Sequence, residues 1–517
     1  MSYISTIRKG DEVWVWERNN GVRELKKFPA PFYFFINHPD GTYKSIYDEP
    51  LKKIECKSFQ DFKNKVSWYK SNGYKLYESD MPPELKLLSR EYYGKPAPDL
   101  NVTFLDIEVD YNPEIGFANT NNPYAPINSV ALYQNWTNRM VLYSVAPENQ
   151  NWTSETLIEE MNKVEALPTD VQLEVYISEN ERELLLDLLV EFEDSDVLTG
   201  WNSDAFDLPY IDQRIIKHFG EKGSRVLCFP GAYKPRYAEV ERFGSIEKMI
   251  ELSGRVNVDY MQLFKKYEMA ERRSYKLESI ADEILPEMPK LEYSGGLFAL
   301  YRNNFPWFAR YNLRDTEVLK GFEERLGYVA LANEMVHIST GLWNQVLGTL
   351  KLAELAINNF CIHERNVRFP NMPNNEKGTI AGAYVLTPKT GMHDWIGSID
   401  ITSLYPSDIR SCNMSPETII GQFDEEEKAC EEIAKNSEIP LRLIYENGNF
   451  DRKPACEWRN LLKKNKWAIS GFGTVFDQNK KGIVPSILED WFNTRKKYQK
   501  LKKEAINKAH EIVEKYK

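Results

Sequence analysis

No run of about 18 or more apolar residues interrupts this sequence, so a membrane-spanning helix is not expected. The opening residues, Met1-Ser-Tyr-Ile-Ser-Thr6, lack the charged-then-apolar order of a secretion signal. The six cysteines, at 56, 228, 361, 412, 430 and 456, form no Cys-x-x-Cys pair. That argues against a zinc site or a disulfide framework and leaves reduced, structural thiols. Internal repeats and low-complexity linkers are absent. So is an excess of positive charge: 66 Lys and Arg stand against 77 Asp and Glu, a net of −11. A protein that coats duplex nucleic acid with its whole surface is thereby disfavoured, although local basic stripes remain open. A soluble, cytoplasmic protein is expected.

What is present is enough chain for several cores. At 517 residues, a prior of ~150 residues per domain gives about three or four. Residues 1 to about 100 alternate strand-like runs (Glu12–Trp16, Pro31–Ile36) with polar turns, and a helix is expected around Phe59 to Ser71. From 101 the pattern changes to α/β. Buried strands (Val102 to Val109, Ser129 to Tyr133, Met140 to Val145) alternate with helices (Glu179 to Phe192, Leu208 to Phe219). Residues 308 to about 363 read as continuously helical. A strand pair is expected at Thr379 to Thr387 and Trp395 to Ile401, and one long basic helix follows Gly482-Ile-Val-Pro485.

Acidic residues at three places carry the chemistry. Asp106 and Glu108 lie two apart in the apolar run Phe104-Leu-Asp-Ile-Glu-Val109, so on a strand both face one way. Asp207 follows the Gly200-Trp-Asn turn and opens a helix. Tyr311 and Asp315 are four apart in a helical stretch and share a face. Two divalent ions a few Å apart need three or four such carboxylates to clamp a phosphodiester, and Mg²⁺ favours this donor type. A tyrosine beside the attacking water can orient it. Further on, Asp400 ends the apolar run Trp395-Ile-Gly-Ser-Ile399, and the turn Thr402-Ser-Leu-Tyr-Pro-Ser407 precedes a helical stretch. Backbone N–H groups at such a corner suit a triphosphate.

With these motifs and flanks the chain resembles the family B DNA polymerases, and among them the replicative enzymes of T-even-type bacteriophages. The match runs through Asp106 and Glu108, through Asn202, Phe206, Asp207 and Pro209-Tyr-Ile211, and through Tyr311 and Asp315. Asn180-Glu-Arg-Glu183, Asp259-Tyr260, Leu263-Phe-Lys-Lys266, Ala381-Gly-Ala-Tyr-Val385, Ser403-Leu-Tyr-Pro406 and Asn413-Met-Ser-Pro-Glu-Thr418 extend it. The resemblance implies a multidomain α/β protein: a β-rich N-terminal domain (1–100, with 336–380 packing back on it), an RNase H-like 3′→5′ exonuclease domain (101–335), the N-terminal part of an α+β palm (381–481) and the first fingers helix (482–517). It implies Asp106, Glu108, Asp207 and Asp315 as metal ligands and Tyr311 as the water-orienting residue. In the palm it implies Asp400 and the Ile401 carbonyl as metal ligands, and Ser403, Leu404 and Tyr405 on the nucleotide. Asn202, Phe206, Gly382 and Tyr384 are implied as DNA contacts, and Glu239 to Ile250, with a turn at Gly244-Ser245, as a hairpin that moves a primer end between sites. Arg495 fits the triphosphate-binding arginine of the fingers; the family's lysine one turn on is Gln499 here, with Lys500 beside it. The implied cofactor is Mg²⁺, two ions per site, with Mn²⁺ able to substitute.

Two family elements are missing: the Lys-x-x-x-Asn-Ser-x-Tyr-Gly helix and the Asp-Thr-Asp-Ser hairpin that bears the second palm aspartate. The expectation is therefore the N-terminal subunit of a split phage polymerase. It would bind primer-template and single-stranded DNA and dNTP, need a C-terminal polymerase subunit with the second aspartate and the thumb, and meet a sliding clamp indirectly, with no membrane partner. Two alternatives stay open: a truncated fragment acting as a single-strand 3′→5′ exonuclease, and a non-catalytic nucleic-acid-binding scaffold.

Overall fold

The computed structural model describes residues 2–110, 114–116, 118–242, 245–268, 270–288, 291, 296–372, 386–399 and 403–516. The chain forms two compact units: Met1–Phe32 with Cys56–Lys65 and Met81–Ala356, and Tyr33–Glu55 with Val66–Asp80 and Ile357–Lys517.

The first unit opens with an antiparallel sheet of Ser2–Lys9, Glu12–Asn19 and Val22–Pro29. Its second hairpin closes through Asn20-Gly21, both at positive φ (49° and 79°), as a two-residue turn matched to strand twist requires. A six-stranded mixed sheet follows. Its spatial order is Gln172–Ser178, Arg139–Val145, Ile127–Gln134, Val102–Val109, Val197–Thr199, Val256–Asn257. The sheet is mixed because Ile127–Gln134 runs antiparallel to both neighbours while the outer pairs are parallel. Both faces are covered. Val102 and Phe104 point into one core with Phe308 and Leu313, whereas Leu105 and Ile107 point into another with Leu208 and Ile211. The period of two in Val102–Val109 thus serves two cores. It puts Asp106 and Glu108 on the side of the Phe305–Leu326 helix.

The second unit holds two five-stranded sheets. One has the order Val367–Arg368, Tyr43–Ser45, Pro50–Glu55, Tyr33–Asn37, Leu76–Tyr77. The other has the order Phe450–Pro454, Pro440–Tyr445, Ile419–Phe423, Thr474–Asp477, Trp467–Ile469. The core of the latter forms around Phe423, Leu443 and Trp458, whose indole N–H donates to the Leu441 carbonyl at 3.1 Å. The Leu404–Cys412 helix lies along the first turns of the Ile483–Tyr516 helix.

Much of the expected element order is found, including helices at Phe59–Ser71 and Glu181–Glu191 and the long terminal helix. Three readings need correction. The stretch 308 to 363 is not one helix but Phe305–Leu326, Tyr328–Ser339 and Thr349–Phe360, followed by a π-turn. Gly327 and Thr340 adopt left-handed φ (64° and 52°) and end the first two. The strand pair around 380 to 401 is not seen in its described residues. Residues 386–399 form no strand, and Trp395, Ile396 and Ile399 are exposed (101%, 79% and 96%). A strand needs a neighbour for its backbone groups, and among the described residues none lies beside this segment. The helix expected after Ser407 begins earlier, at Leu404, with Pro406 tolerated in its first turn. Among the described residues no helix is long and apolar enough to cross a membrane.

Candidate active site: a carboxylate cluster

Strand and helix bring three carboxylates together. Asp106 and Glu108 project from the Val102–Val109 strand and Asp315 from the Phe305–Leu326 helix; one oxygen of each lies within 4.8 Å of the others. Asp207 joins them at the backbone of the same strand. Its Oδ1 accepts the backbone N–H of Ile107, the residue between Asp106 and Glu108, at 3.2 Å, and it is buried.

The turn that delivers Asp207 is built for close approach. Gly200 sits against the strand: a Cβ there would lie 2.5 Å from the Leu105 carbonyl oxygen. Asn202 takes a left-handed φ of 64°, a conformation asparagine tolerates better than most residues. It is held by Asp259, whose Oδ1 accepts from Asn202 N at 3.0 Å and from Met261 N at 2.9 Å, so one carboxylate fixes the turn and caps a helix. Trp201 anchors the other side by donating to the Tyr275 carbonyl at 2.9 Å. Phe206 packs on Tyr210, with ring centroids 5.5 Å apart.

Asn312 is a site residue that sequence reasoning passed over. Its amide N–H₂ donates to Asp106 Oδ2 at 2.6 Å, and its Oδ1 accepts from Ser129 Oγ at 2.9 Å. The Ser129 hydroxyl itself lies 2.8 Å from that of Ser144. The chain of partners sets which way the amide points. The one sequence signal was its place three residues before Asp315, on the same helix face. Tyr311 and Asp315 also border a cavity of about 270 Å³ with Leu277, Met288 and Arg314. The helix carrying them is clamped by Arg310, which pairs with Glu317 at 2.8 Å and Glu165 at 2.7 Å, and by Arg314, which pairs with Glu165.

Like charges crowd this site. Burial, then the charge of Asp207, pushes the Asp106 carboxyl well above the usual range, and the Asn312 hydrogen bond opposes the shift. Burial and the charges of Asp106, Asp315 and Asp207 push Glu108 up in the same direction. Asp207 is pushed up to about 7 by burial, with backbone N–H groups pulling it down and Asp259 adding to the rise. Such a cluster stays ionised at neutral pH when a cation neutralises it. An all-oxygen, all-carboxylate donor set suits a hard divalent ion. The residues present therefore fit the metal that the resemblance implies.

The hairpin expected at 239–250 is present as Arg236–Arg242 paired antiparallel with Ser245–Glu251. It is tied to the helix that Asp207 opens: Tyr237 Oη donates to Asp212 Oδ2 at 2.5 Å, and Gln213 Nε2 donates to Tyr237 Oη at 3.1 Å.

Of the residues expected on a nucleotide, Arg495 donates to Ser403 Oγ at 3.4 Å. Ser403 has a left-handed φ of 56° at the start of the Leu404–Cys412 helix. Leu404 and Tyr405 are exposed beside it. Lys500 is not brought to this corner; it faces Glu504 at 3.9 Å, because five residues along a helix turn it well away from Arg495. Asp400, Ile401, Gly382 and Tyr384 lie outside the described residues.

Comparison with known proteins agrees with this geometry. The exonuclease-domain profile of DNA polymerase family B matches residues 49–280, and the polymerase profile of the same family matches residues 352–516. The chain is 26% identical to a DNA-directed DNA polymerase of Escherichia phage RB69 over 517 aligned residues, covering 96% of this chain and 53% of that protein. It is 29% identical to that of Enterobacteria phage T4 over 325 residues (62% and 33%), and 25% identical to the DNA polymerase delta catalytic subunit of Glycine max over 366 residues (66% and 30%). It thus spans about half, or less, of the length of these relatives. Through its exonuclease domain and the polymerase-matched segment that follows, the chain belongs to family B of the DNA polymerases.

Proposed function

We propose that this chain is a metal-dependent 3′→5′ exonuclease acting on single-stranded DNA and on the primer end of a primer-template, and that it carries part of a DNA polymerase site. The convergence of Asp106, Glu108 and Asp315, with Asp207 against the same strand, supports the exonuclease reading. Two divalent ions held there, Mg²⁺ with Mn²⁺ as substitute, would supply an activated water and positive charge for the leaving 3′ oxygen. The chain's own residues do the rest. The four carboxylates hold the charge, Asn312 fixes the orientation of Asp106, and Tyr311 orients the attacking water. Asn202 and Phe206 on the turn contact the DNA, and the 236–251 hairpin helps pass the primer end between sites. Replacing two ligands, Asp106→Ala with Glu108→Ala, should lower exonuclease activity by at least ~10³. A nuclease assay in which this double variant matches the wild type would refute the assignment.

For the polymerase part we propose Asp400 and the Ile401 carbonyl as metal ligands, Ser403, Leu404, Tyr405 and Arg495 on the incoming dNTP, and Gly382 and Tyr384 on the template. The second palm aspartate and the thumb would come from a C-terminal polymerase polypeptide, through which a sliding clamp would be reached, in a protein working in the cytoplasm. The exposed Trp395 and Ile399 near Asp400, and the exposed Trp491, Tyr498 and Leu501 on the terminal helix, support this reading: both segments present apolar side chains that a neighbour would cover. Co-expression with the candidate partner, purification through one tag and a primer-extension assay test it. Failure to co-purify, or full extension by the partner without this chain, favours the second reading, an exonuclease alone, for which the complete carboxylate cluster speaks.

A further inference from the structure

The strand that carries Asp106 and Glu108 continues its ladder one residue past Val109. Asp110 N–H donates to the Pro126 carbonyl at 2.9 Å. Asp110 is two residues past Glu108, so the pleat turns it to the side of Asp106 and Glu108. Two residues of strand place it about 7 Å beyond Glu108, on the scale of one nucleotide step. There its carboxylate meets Arg302 through two parallel hydrogen bonds. Nη1 donates to Oδ1 at 2.9 Å and Nη2 to Oδ2 at 3.0 Å. Arg302 belongs to the Leu297–Asn303 helix, which directly precedes the helix that bears Asp315.

The backbone under Arg302 is fixed, while its side chain faces solvent. Tyr301 is buried, and its Oη donates to the Val145 carbonyl at 3.0 Å. Gln150 Nε2 donates to the Arg302 carbonyl at 2.8 Å. The guanidinium lies over the Phe298 ring, 3.7 Å from its centroid. The Arg302 side chain is 41% exposed and that of Asp110 22%. An ion pair this exposed contributes little to stability, so exchanging its acid for another anion costs little. The fork that takes two carboxylate oxygens takes two phosphate oxygens equally well. The carboxylate cluster itself repels a strand. The charged groups that shift Asp106, Glu108 and Asp207 are all acids. Arg310 and Arg314, on the neighbouring helix, are engaged by Glu165 and Glu317. A strand entering this site needs a cation beside it, and Arg302 is placed to supply one.

We propose that Arg302 is a substrate-binding residue of the exonuclease site: it leaves Asp110 and grips the phosphodiester on the 5′ side of the one being cut. Asp110 holds the fork ready while no strand is bound. This role rests on the exonuclease reading of the carboxylate cluster. A merely structural pair is harmed alike when either partner is removed. A pair that exchanges Asp110 for a phosphate responds with opposite signs.

Binding of a fluorescent single-stranded oligodeoxythymidylate to the whole chain is followed by anisotropy in EDTA, where no metal supports cleavage. Arg302→Gln should weaken binding about fivefold. It should also flatten the slope of log affinity against log salt by about 0.7, the share of one phosphate contact on a single strand. Asp110→Asn should tighten binding about threefold, because it frees the fork and removes a repelling charge. An oligonucleotide with a neutral methylphosphonate at the second linkage from its 3′ end should bind wild type and Arg302→Gln alike. Melting curves check that each variant is folded. Arg302→Lys, which keeps the charge without the fork, decides if Arg302→Gln is not; it should weaken binding of the charged oligonucleotide only. Weaker binding by both Arg302→Gln and Asp110→Asn overturns the proposal. So does an unchanged salt slope, or a loss in Arg302→Gln that persists on the neutral linkage. A nuclease assay of the wild type in Mg²⁺ keeps the two readings apart. An inactive chain whose variants still bind with opposite signs would refute the exonuclease reading and leave Arg302 as a strand contact. An active chain whose variants shift with one sign would overturn the role of Arg302 alone.

Discussion

Replacing Asn312 with leucine keeps the branching of the side chain but removes its hydrogen bonds to Asp106 and Ser129, and tests how the carboxylate cluster is held. Asn312 is fully buried and donates to Asp106 Oδ2 at 2.6 Å. Hydrogen bonds to ionised groups contribute roughly 1.5–3 kcal/mol, a factor of about 10 to 150 in an equilibrium constant. The bond favours the ionised form of Asp106, opposing burial and the charge of Asp207. Without it the carboxyl pKa rises further, so protons compete better with a cation for the same oxygens. Two shifts follow for Asn312→Leu. The Mg²⁺ concentration that half-saturates nuclease activity should rise about 10- to 100-fold, and the acid limb of the rate profile should move to higher pH. Initial rates on an end-labelled single-stranded oligonucleotide, measured across Mg²⁺ concentration and pH, give both. A merely structural residue would lower the amount of active protein and leave both midpoints in place. Metal titrations and pH profiles that superimpose on the wild type would refute the reasoning.

Gly200→Ala places a Cβ 2.5 Å from the Leu105 carbonyl oxygen, so the turn must shift and carry Asp207 with it; exonuclease turnover should fall by roughly 10², and an unchanged rate would show that the turn has slack. Asp207, whose folded pKa of about 7 exceeds its ordinary 3.8, contributes stability that is present below about pH 4 and lost as pH rises through 7. In EDTA the melting temperature should therefore fall over that range, Asp207→Asn should flatten the fall, and added Mg²⁺ should reverse it; melting curves with no such metal dependence would contradict the charge-crowding account. If Asp400 holds the polymerase metals as proposed, it would be a single anchor for a two-metal reaction, and the purified chain alone should not extend a primer. Extension abolished by Asp400→Ala would show that a second ligand was overlooked.

The parts of this site that were legible in the sequence are those fixed by local geometry. Asp106 and Glu108 share a side because a strand repeats every two residues, and Asp315 shares a face with Tyr311 because a helix repeats near four. Asp207 could be placed at the start of a helix because a Gly-x-Asn turn precedes it. What escaped depends on contacts remote in sequence. Asn312 meets Asp106 across 206 positions, and Asp259 reaches back 57 to hold Asn202. The breaks at Gly327 and Thr340 were misread because neither residue forbids a helix by itself; the packing on either side decides. The segment 395–399 has the apolar run of a strand but pairs with no strand among the described residues, and no local pattern reports whether a neighbour is there.

The interleaving of the two units has a consequence for synthesis. In the second unit the Tyr43–Ser45 strand pairs on one side with Val367–Arg368, whereas nearly all of the first unit is encoded between them. At about 5–20 residues per second, the early strand leaves the ribosome roughly 15–60 s before its neighbour exists. For that interval an open sheet edge beside Leu51 must stay soluble without its eventual cover. Lys44, Lys52 and Lys53 on those strands are the kind of charged residue that discourages edge-to-edge association while a chain waits. The first unit likewise cannot be excised by cutting one peptide bond. Any shorter version that ends before Val367 leaves Tyr43–Ser45 as an unpaired edge, and low solubility of such a version would report that edge rather than a fault in the carboxylate cluster.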